Sequence, residues 1–287
     1  MNNILFIFNS KKDNDLFYTN KIINYLKNKN VNVYSENNQL ADELGIKLID
    51  NISINNIDLT IILGGDGTIL KYARNYGKYQ IPVLGINIGR VGALAHAEAD
   101  NFEEYLDKYF LNEYSVTENL TLKGKITYKD GKIEEFIFYN DLILHRGLSL
   151  KLLPIDISIN DSNFSRIYAD GVVVSTPLGS SAYNLSAGGA IISQNCNCYA
   201  LTPICSQTRS FSSSIISDSD KLTIVVKDTL EEEMVSIDGC DRFFIHENDK
   251  IEITKSDIRL KIIQFVKQAS LYEAVYKVID SIHKGGR

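Results

Sequence analysis

The stretch Leu59-Thr60-Ile61-Ile62-Leu63-Gly64-Gly65-Asp66-Gly67-Thr68 decides the fold class of this chain. Its first half is short, apolar and β-branched, and paired glycines end it, which predicts a buried β-strand. In its second half, three glycines in four positions let a ligand approach the backbone. They also permit φ > 0, so that successive N–H groups point together at an anion such as a phosphate.

Strands and helices alternate on both sides of this stretch. The pattern predicts strands at 4–9, 31–34, 59–63 and 83–86 and helices at 15–29 and 69–76. Such alternation indicates a parallel sheet with helices on both faces, which makes residues 1–105 an α/β domain.

Residues 106–265 follow a different pattern, because short strands there are broken by turn residues. This predicts an all-β, sandwich-like domain. Its predicted strands are 120–128, 133–139, 152–159, 172–175, 222–226, 234–237, 250–254 and 259–263. A final helix is predicted over 270–282, with an apolar stripe that needs a partner surface.

A single carboxylate, Asp66, lies inside the glycine-rich turn. Because a carboxylate repels a bare phosphate, its role is expected to be the handling of an acceptor hydroxyl or of a metal ion. The alternative is an ordinary strand-to-helix turn with an aspartate cap. The full five-residue run favours phosphate chemistry.

A second motif spans residues 170–189. A strand at Val172–Val174 is followed by Pro177, which cannot donate to a sheet, and then by small hydroxyl-bearing residues beside Tyr183. We expect an exposed backbone in this segment, and hydroxyl groups that meet the polar edges of a nucleotide while the aromatic ring covers a base. A Ser/Gly-rich loop without a ligand explains the motif equally well.

Composition excludes several classes of protein. The formal charge of −6 gives no basic surface for nucleic acid or an anionic membrane. Apolar runs are too short to span a bilayer and no basic leader opens the chain, so we expect a cytoplasmic protein without a membrane partner. Residues 9–13 follow the first strand without glycines, which disfavours a Rossmann dinucleotide site and hydride transfer.

The four cysteines and four histidines form no set with zinc-ligand spacing. Cys196 and Cys198 are two residues apart, but no second ligand pair accompanies them. We therefore predict free thiols and no structural metal site.

Four blocks, in order and spacing, resemble the bacterial NAD kinases: residues 64–68, 85–92, 140–141 and 170–189. Diacylglycerol, sphingosine and 6-phosphofructo-type kinases share the first block, whereas the last is specific to the NAD kinases. The resemblance implies transfer of the γ-phosphoryl group of ATP, or a phosphoryl group of polyphosphate, to the 2′-hydroxyl of the adenosine ribose of NAD. Mg²⁺ would screen the phosphates.

The resemblance also implies roles for individual residues. Asp66 is the implied general base, and the implied phosphate-binding residues are Gly64, Gly65, Gly67 and Thr68. The implied NAD-binding residues are Asp66, Gly67, Lys71, Asn140, Asp141, Lys151, Tyr168, Asp170, Ser181, Ala182, Tyr183, Asn184, Leu185 and Ser186. Asp170 falls where a neighbouring subunit reaches the nicotinamide end, which implies a homo-oligomer, a dimer or a tetramer. The segment 266–287 is implied to return to the first domain.

The chain departs from the family pattern at four positions. Asp141 stands where Glu is usual, and Ser181 stands where Thr is commoner. Ala93 replaces a Phe, and Gln207 replaces a His. Two alternative functions remain. One is a lipid kinase of the diacylglycerol type, which shares only the block at residues 64–68. The other is a non-catalytic nucleotide sensor, which the departures from the family pattern make conceivable. The intact Asp66 and Gly67 disfavour the sensor.

Overall fold

The computed structural model describes residues 2–50, 53–89, 94, 95, 97–208, 211–227 and 233–265. The chain divides into two compact units. The first holds the described residues up to Glu118 and those from Leu260 onward, and the second holds Asn119–Arg259.

The first unit is an α/β structure, as predicted. Its elements are β1 (Asn3–Phe8), α1 (Phe17–Asn28), β2 (Asn32–Ser35), α2 (Asn38–Leu44), β3 (Lys47–Leu48), β4 (Leu59–Gly64), α3 (Asp66–Tyr76), β5 (Val83–Asn87), β6 (Ala97–Glu98) and α4 (Phe102–Phe110). The strands pair in parallel in the order β5-β4-β1-β2-β3, and β6 pairs with β5.

Helices cover both faces of this sheet because strand side chains alternate between its faces. Leu59, Ile61 and Leu63 point to one face, and they share a buried cluster with side chains of α1 and α4. On the other face, the Thr60 and Tyr72 hydroxyls lie 2.9 Å apart, so α3 packs there. Every residue of β4 is buried, which matches its apolar sequence.

The register of the parallel strands brings three loops to one edge of the sheet. Phe8 of β1 lies opposite Leu63 of β4, and Gly64 of β4 lies opposite Asn87 of β5. The segments that follow β1, β4 and β5 therefore leave the sheet side by side at its carboxyl edge, where α/β sheets bind ligands.

The second unit is built of antiparallel strands. Its elements are β7 (Ser115–Thr127), β8 (Ile133–Phe138), β9 (Asp141–His145), β10 (Leu153–Ile159), β11 (Ser162–Ala169), β12 (Gly171–Ser175), α5 (Tyr183–Ser186), β13 (Cys198–Ile204), β14 (Ser214–Ser217), β15 (Leu222–Val226), β16 (Glu233–Ile237), β17 (Asp241–Ile245) and β18 (Lys250–Gln264). The ends of β7 and β18 belong to the first unit.

Two sheets form this second unit. One runs in the order β14-β13-β12-β9-β16-β17, and the other contains β11-β10-β15-β18 with β7 and β8. Buried side chains from both sheets form one core, among them Leu144 of β9 and Ile155 of β10. The sandwich-like prediction is therefore confirmed.

Several local predictions differ from the structure. The strands predicted at 250–254 and 259–263 form the single strand β18, because the polar residues between them stay in the sheet. The helix predicted from Ile69 begins at Asp66. The predicted helix at 270–282 lies outside the described residues. Within the part of the chain that is described, no helix is long and apolar enough to cross a bilayer.

Candidate active site

The glycine-rich junction joins β4 to α3 without a left-handed residue. Gly65 is extended at φ −122° and ψ −172°, and α3 begins at Asp66. None of Gly64, Gly65 and Gly67 has a positive φ, so the prediction that they supply left-handed backbone is wrong. Gly64 is needed for a different reason: the Thr68 side chain leaves no room for a Cβ, which would lie 2.5 Å from Thr68 Oγ1.

Asp66 lies in the first turn of α3 and is half-buried. Its Oδ1 accepts a hydrogen bond of 3.1 Å from the backbone N–H of Leu94. The segment after β5 therefore fixes the orientation of the carboxylate. The first N–H groups of α3 have no partner within the helix, which suits an anion beside Asp66.

A cavity of about 470 Å³ opens beside Asp66. Among the described residues, its lining carries three ammonium groups and one carboxylate, that of Asp66. The lining residues are Phe8, Asn9, Ser10, Lys11, Lys12, Gly65, Asp66, Gly67, Thr68 and Lys71. The cavity is therefore suited to a polyanion. Gly65, Asp66, Gly67, Thr68 and Lys71, all predicted site residues, lie here together.

The loop after β1 supplies four of the ten lining residues, Asn9 to Lys12, and none of the four was predicted as a site residue. Asn9 holds the loop: its Oδ1 accepts from Lys11 N at 3.0 Å, and its Nδ2 donates to Thr68 Oγ1 at 3.2 Å. Lys12 Nζ donates to the Ile88 carbonyl at 3.2 Å, beside Gly65. The available signal was the predicted parallel pairing, which places the ends of neighbouring strands at one edge.

Tyr139 and Asn140 connect β8 to β9 in the second unit, and Asp141 is the first residue of β9. This connection together with Asp141 is the Asn140–Asp141 turn. The Asn140 carbonyl accepts from Thr176 N at 2.9 Å, and Thr176 Oγ1 donates to the Tyr139 carbonyl at 2.6 Å. Gly179 completes this contact, because a Cβ there would lie 2.2 Å from Asn140 O. The structure thus brings two of the four sequence blocks, residues 140–141 and residues 170–189, into direct contact.

The Asp141 side chain is buried at the start of β9. Burial, followed by the nearby charge of Asp238, raises the pKa of Asp141 to about 7. Near neutral pH a substantial fraction of Asp141 is therefore protonated and can donate a hydrogen bond, which an ordinary surface aspartate would not.

The segment after Pro177 is more ordered than the sequence analysis predicted. Residues 178–181 form a 3₁₀ turn, in which Leu178, Gly179 and Ser180 are buried, and α5 follows directly. The expectation of exposed backbone is therefore wrong for this part. Among the predicted site residues, Ala182, Tyr183 and Ser186 are exposed, and Ser181 and Leu185 are half-buried.

Asn184, by contrast, is completely buried and holds the segment in shape. Its Nδ2 donates to the carbonyls of Ser180 and Ala190, each at 3.0 Å. Its Oδ1 accepts from Thr202 Oγ1 at 2.7 Å. Asn184 therefore supports the surface that presents Tyr183, and direct contact of its side chain with NAD stays a prediction.

Asp170 lies at the opposite end of β12 from the Asn140–Asp141 turn. Ser175 pairs with Asp141 and Gly171 pairs with His145, so β12 separates the two sites by about 13 Å. Asp170 Oδ1 lies 2.8 Å from Arg146 Nε in an ion pair. The structure of one chain does not bring Asp170 to the turn.

The remaining predicted residues are Tyr168 and Lys151. Tyr168 is exposed, and its carbonyl accepts from Gln207 N at 2.9 Å. Lys151 is exposed on the loop after β9. Ala93 lies outside the described residues.

Metal-ligating side chains do not cluster in the described ranges: no three of His, Cys, Asp or Glu come together there. All four cysteines, Cys196, Cys198, Cys205 and Cys240, are free thiols.

Comparison with known proteins decides the family. Residues 4–114 match the model of the ATP-NAD kinase N-terminal domain, and residues 139–265 match that of the ATP-NAD kinase C-terminal domain. An NAD kinase of Clostridium kluyveri is 34% identical over 268 residues, covering 92% of each chain. The chain belongs to the NAD kinase family.

Solved NAD kinase structures agree with this assignment. The yeast NADH kinase in complex with NADH superposes with a TM-score of 0.87 at 24% identity, covering 98% of this chain and 88% of that one, and shows the shared fold. An NAD kinase from Archaeoglobus fulgidus in complex with ATP has a TM-score of 0.76 at 25% identity, with 96% and 98% coverage. Because both NAD kinase domain models match, the diacylglycerol-type alternative loses its support.

Proposed function

We propose that this protein transfers the γ-phosphoryl group of ATP to the 2′-hydroxyl of the adenosine ribose of NAD, which yields NADP. The observation that carries the proposal is the cavity beside α3, where one carboxylate, Asp66, lies among Lys11, Lys12 and Lys71. The ammonium groups suit the phosphates of the donor, and the single carboxylate suits the acceptor hydroxyl.

Phosphoryl transfer passes through a loose transition state, so the protein mainly positions the reactants and neutralises charge. The N–H groups at the start of α3 and the lysine side chains bind the donor phosphates. Asn9 keeps the lysine-bearing loop in place through its contact with Thr68.

Mg²⁺ fits this site as an ion carried by the nucleotide. Among the described lining residues Asp66 is the one carboxylate, too few for a protein cage, so Mg²⁺ would be held mainly by the phosphates of the nucleotide and by water. The ion, when bound, neutralises charge on the transferring phosphoryl group.

Asp66 accepts the hydrogen bond of the 2′-hydroxyl and directs its oxygen at the γ-phosphorus. The hydrogen bond from the backbone N–H of Leu94 to Oδ1 orients the Asp66 carboxylate for this task. Asp66 takes up the hydroxyl proton as the bond between the 2′-oxygen and the γ-phosphorus forms and the bond from that phosphorus to the leaving ADP breaks, which is the role of a general base.

In the second unit, NAD contacts are assigned to Asn140 and Asp141 and to the exposed Ala182, Tyr183 and Ser186. Ser181 and Leu185 complete the lining. Asp170 acts in a homo-oligomer, on the NAD bound by a neighbouring subunit. The support for this is the separation of about 13 Å between Asp170 and the Asn140–Asp141 turn within one chain.

The test is turnover of the purified protein with ATP, Mg²⁺ and either NAD or diacylglycerol, with NADP measured by a coupled dehydrogenase. Formation of NADP with NAD alone supports the proposal. Binding of NAD without turnover would identify a nucleotide sensor, and phosphorylation of diacylglycerol would identify a lipid kinase. Replacing ATP by polyphosphate in the same assay defines the donor range.

A further inference from the structure

Asp238 lies beside the Asn140–Asp141 turn, although the two are almost one hundred residues apart in sequence. Its carboxylate accepts hydrogen bonds from three consecutive backbone N–H groups. Oδ2 lies 3.0 Å from Tyr139 N, and Oδ1 lies 2.7 Å from Asn140 N and 3.1 Å from Asp141 N. The backbone N–H of Asp238 in turn donates to the Asp141 carbonyl at 2.9 Å.

The backbone around Asp238 is shaped for this contact. Asp238 and Gly239 have φ of 47° and 67°, in the tight connection between β16 and β17. Aspartate and asparagine tolerate this left-handed region better than most residues. The hairpin therefore holds a short acidic side chain against the turn.

Three N–H donors around one carboxylate form charge-assisted hydrogen bonds, which are stronger than neutral ones. They fix the backbone of the turn between β8 and β9, and that backbone determines where the Asn140 and Asp141 side chains point. The charge of the same carboxylate adds to the effect of burial in raising the pKa of Asp141. Asp238 itself is nine-tenths buried, as expected of a supporting group.

We propose that Asp238 is a positioning residue for NAD, which fixes the Tyr139–Asp141 backbone and thereby aims the side chains of Asn140 and Asp141 at the substrate. The inference rests on the proposed function. It assigns Asp238 no contact with ATP, because the donor phosphates bind at α3 in the other unit.

The test is Asp238→Asn, with the KM for NAD and the KM for ATP measured separately. Asparagine keeps the size of the side chain and tolerates φ of 47°, but it loses the charge and places an N–H₂ donor among N–H donors. The KM for NAD is expected to rise at least about tenfold, since hydrogen bonds to a charged group are lost. The KM for ATP is expected to stay within about twofold.

Asp249 provides the matched control in the same unit. It is also buried, and its carboxylate accepts from the backbone N–H groups of Lys129 and His246, each at 2.8 Å. Asp249→Asn is expected to lower stability without a selective rise in the KM for NAD. An equal and selective rise in both variants would overturn the inference, because it would show a general effect of loosening this unit.

The remaining outcomes are also decisive. An unchanged KM for NAD in folded Asp238→Asn, or equal rises in both KM values, would overturn the positioning role. If Asp238→Asn does not fold, Asp238→Glu carries the same test, because it keeps the charge and displaces it by one methylene. Failure of the wild-type protein to form NADP would instead overturn the proposed function.

Discussion

Gly67→Ala separates the binding of phosphate from the stability of the fold. Gly67 lies in the first turn of α3 and is exposed, and a Cβ there would meet no heavy atom within 4 Å. Alanine has a higher helix propensity than glycine and restricts the unfolded chain, so the free energy of unfolding should rise by about 0.5 kcal/mol. The added methyl group nevertheless stands between the backbone of α3 and the donor phosphates.

We therefore expect Gly67→Ala to weaken ATP binding at least about tenfold, the loss of one charge-assisted hydrogen bond. Calorimetric titration with ATP measures the affinity. Urea unfolding followed by circular dichroism measures stability, since the chain contains no tryptophan. Unchanged affinity for ATP in the folded variant would refute the placement of phosphates on this helix terminus.

Gly64→Ala is the contrasting variant. Its Cβ would lie 2.5 Å from Thr68 Oγ1 and 2.9 Å from Thr68 Cβ. Rotation of the threonine side chain moves Oγ1 but not Cβ, so α3 itself must shift. Such overpacking should destabilise the protein by about 1–3 kcal/mol. Equal stability of Gly64→Ala and Gly67→Ala would contradict the packing described here.

Three further predictions concern single side chains. Lys12, which lines the cavity, should contact a donor phosphate, so Lys12→Gln should raise the KM for ATP about tenfold and leave the KM for NAD unchanged. As the control, Lys47→Gln on the edge strand β3 should change neither KM value. Equal effects of the two substitutions on the KM for ATP would argue against a specific phosphate contact of Lys12. Asp170→Ala should raise the KM for NAD roughly 10- to 150-fold and spare that for ATP, in a protein that sediments as an oligomer; no effect in a monomeric protein would remove the shared site. The raised pKa of Asp141 means that the folded state retains its proton more tightly than the unfolded state. Its contribution to stability is thus complete below pH 3.8 and is lost as pH rises to about 7, by up to about 4 kcal/mol. Urea unfolding of Asp141→Asn between pH 4.5 and 7.5 should lack that decline, and an unchanged pH slope would contradict the assignment.

The sequence predicted the parts of the fold that depend on local patterns. The apolar run of β4 and the alternation around it correctly indicated a parallel sheet, because the period of side-chain burial reveals the element type. The break between 254 and 259 was misread, since the polar residues there lie in a strand whose pairing depends on distant partners.

For the site as well, features in one contiguous motif could be predicted, whereas features that depend on distant parts of the chain could not. The position of Asp66 at the junction of a strand and a helix could be predicted because its motif is contiguous. Lys12 was not predicted as a lining residue, because its place in the cavity depends on strand register, which brings the loop after β1 to the glycine junction. Asp238 was missed because its three hydrogen bonds join segments about one hundred residues apart. Its only sequence signal was an Asp-Gly turn between two strands.

The central claim is tested most directly by following the γ-phosphoryl group itself. ATP labelled at the γ-phosphorus is incubated with NAD, Mg²⁺ and either the wild-type protein or Asp66→Asn, and the labelled position in the product is determined. We expect the label on the 2′-oxygen of NADP, formed about 10²- to 10⁴-fold more slowly by Asp66→Asn, which should still be stabilised by NAD. Label released only as inorganic phosphate, or an undiminished rate in Asp66→Asn, would contradict the account.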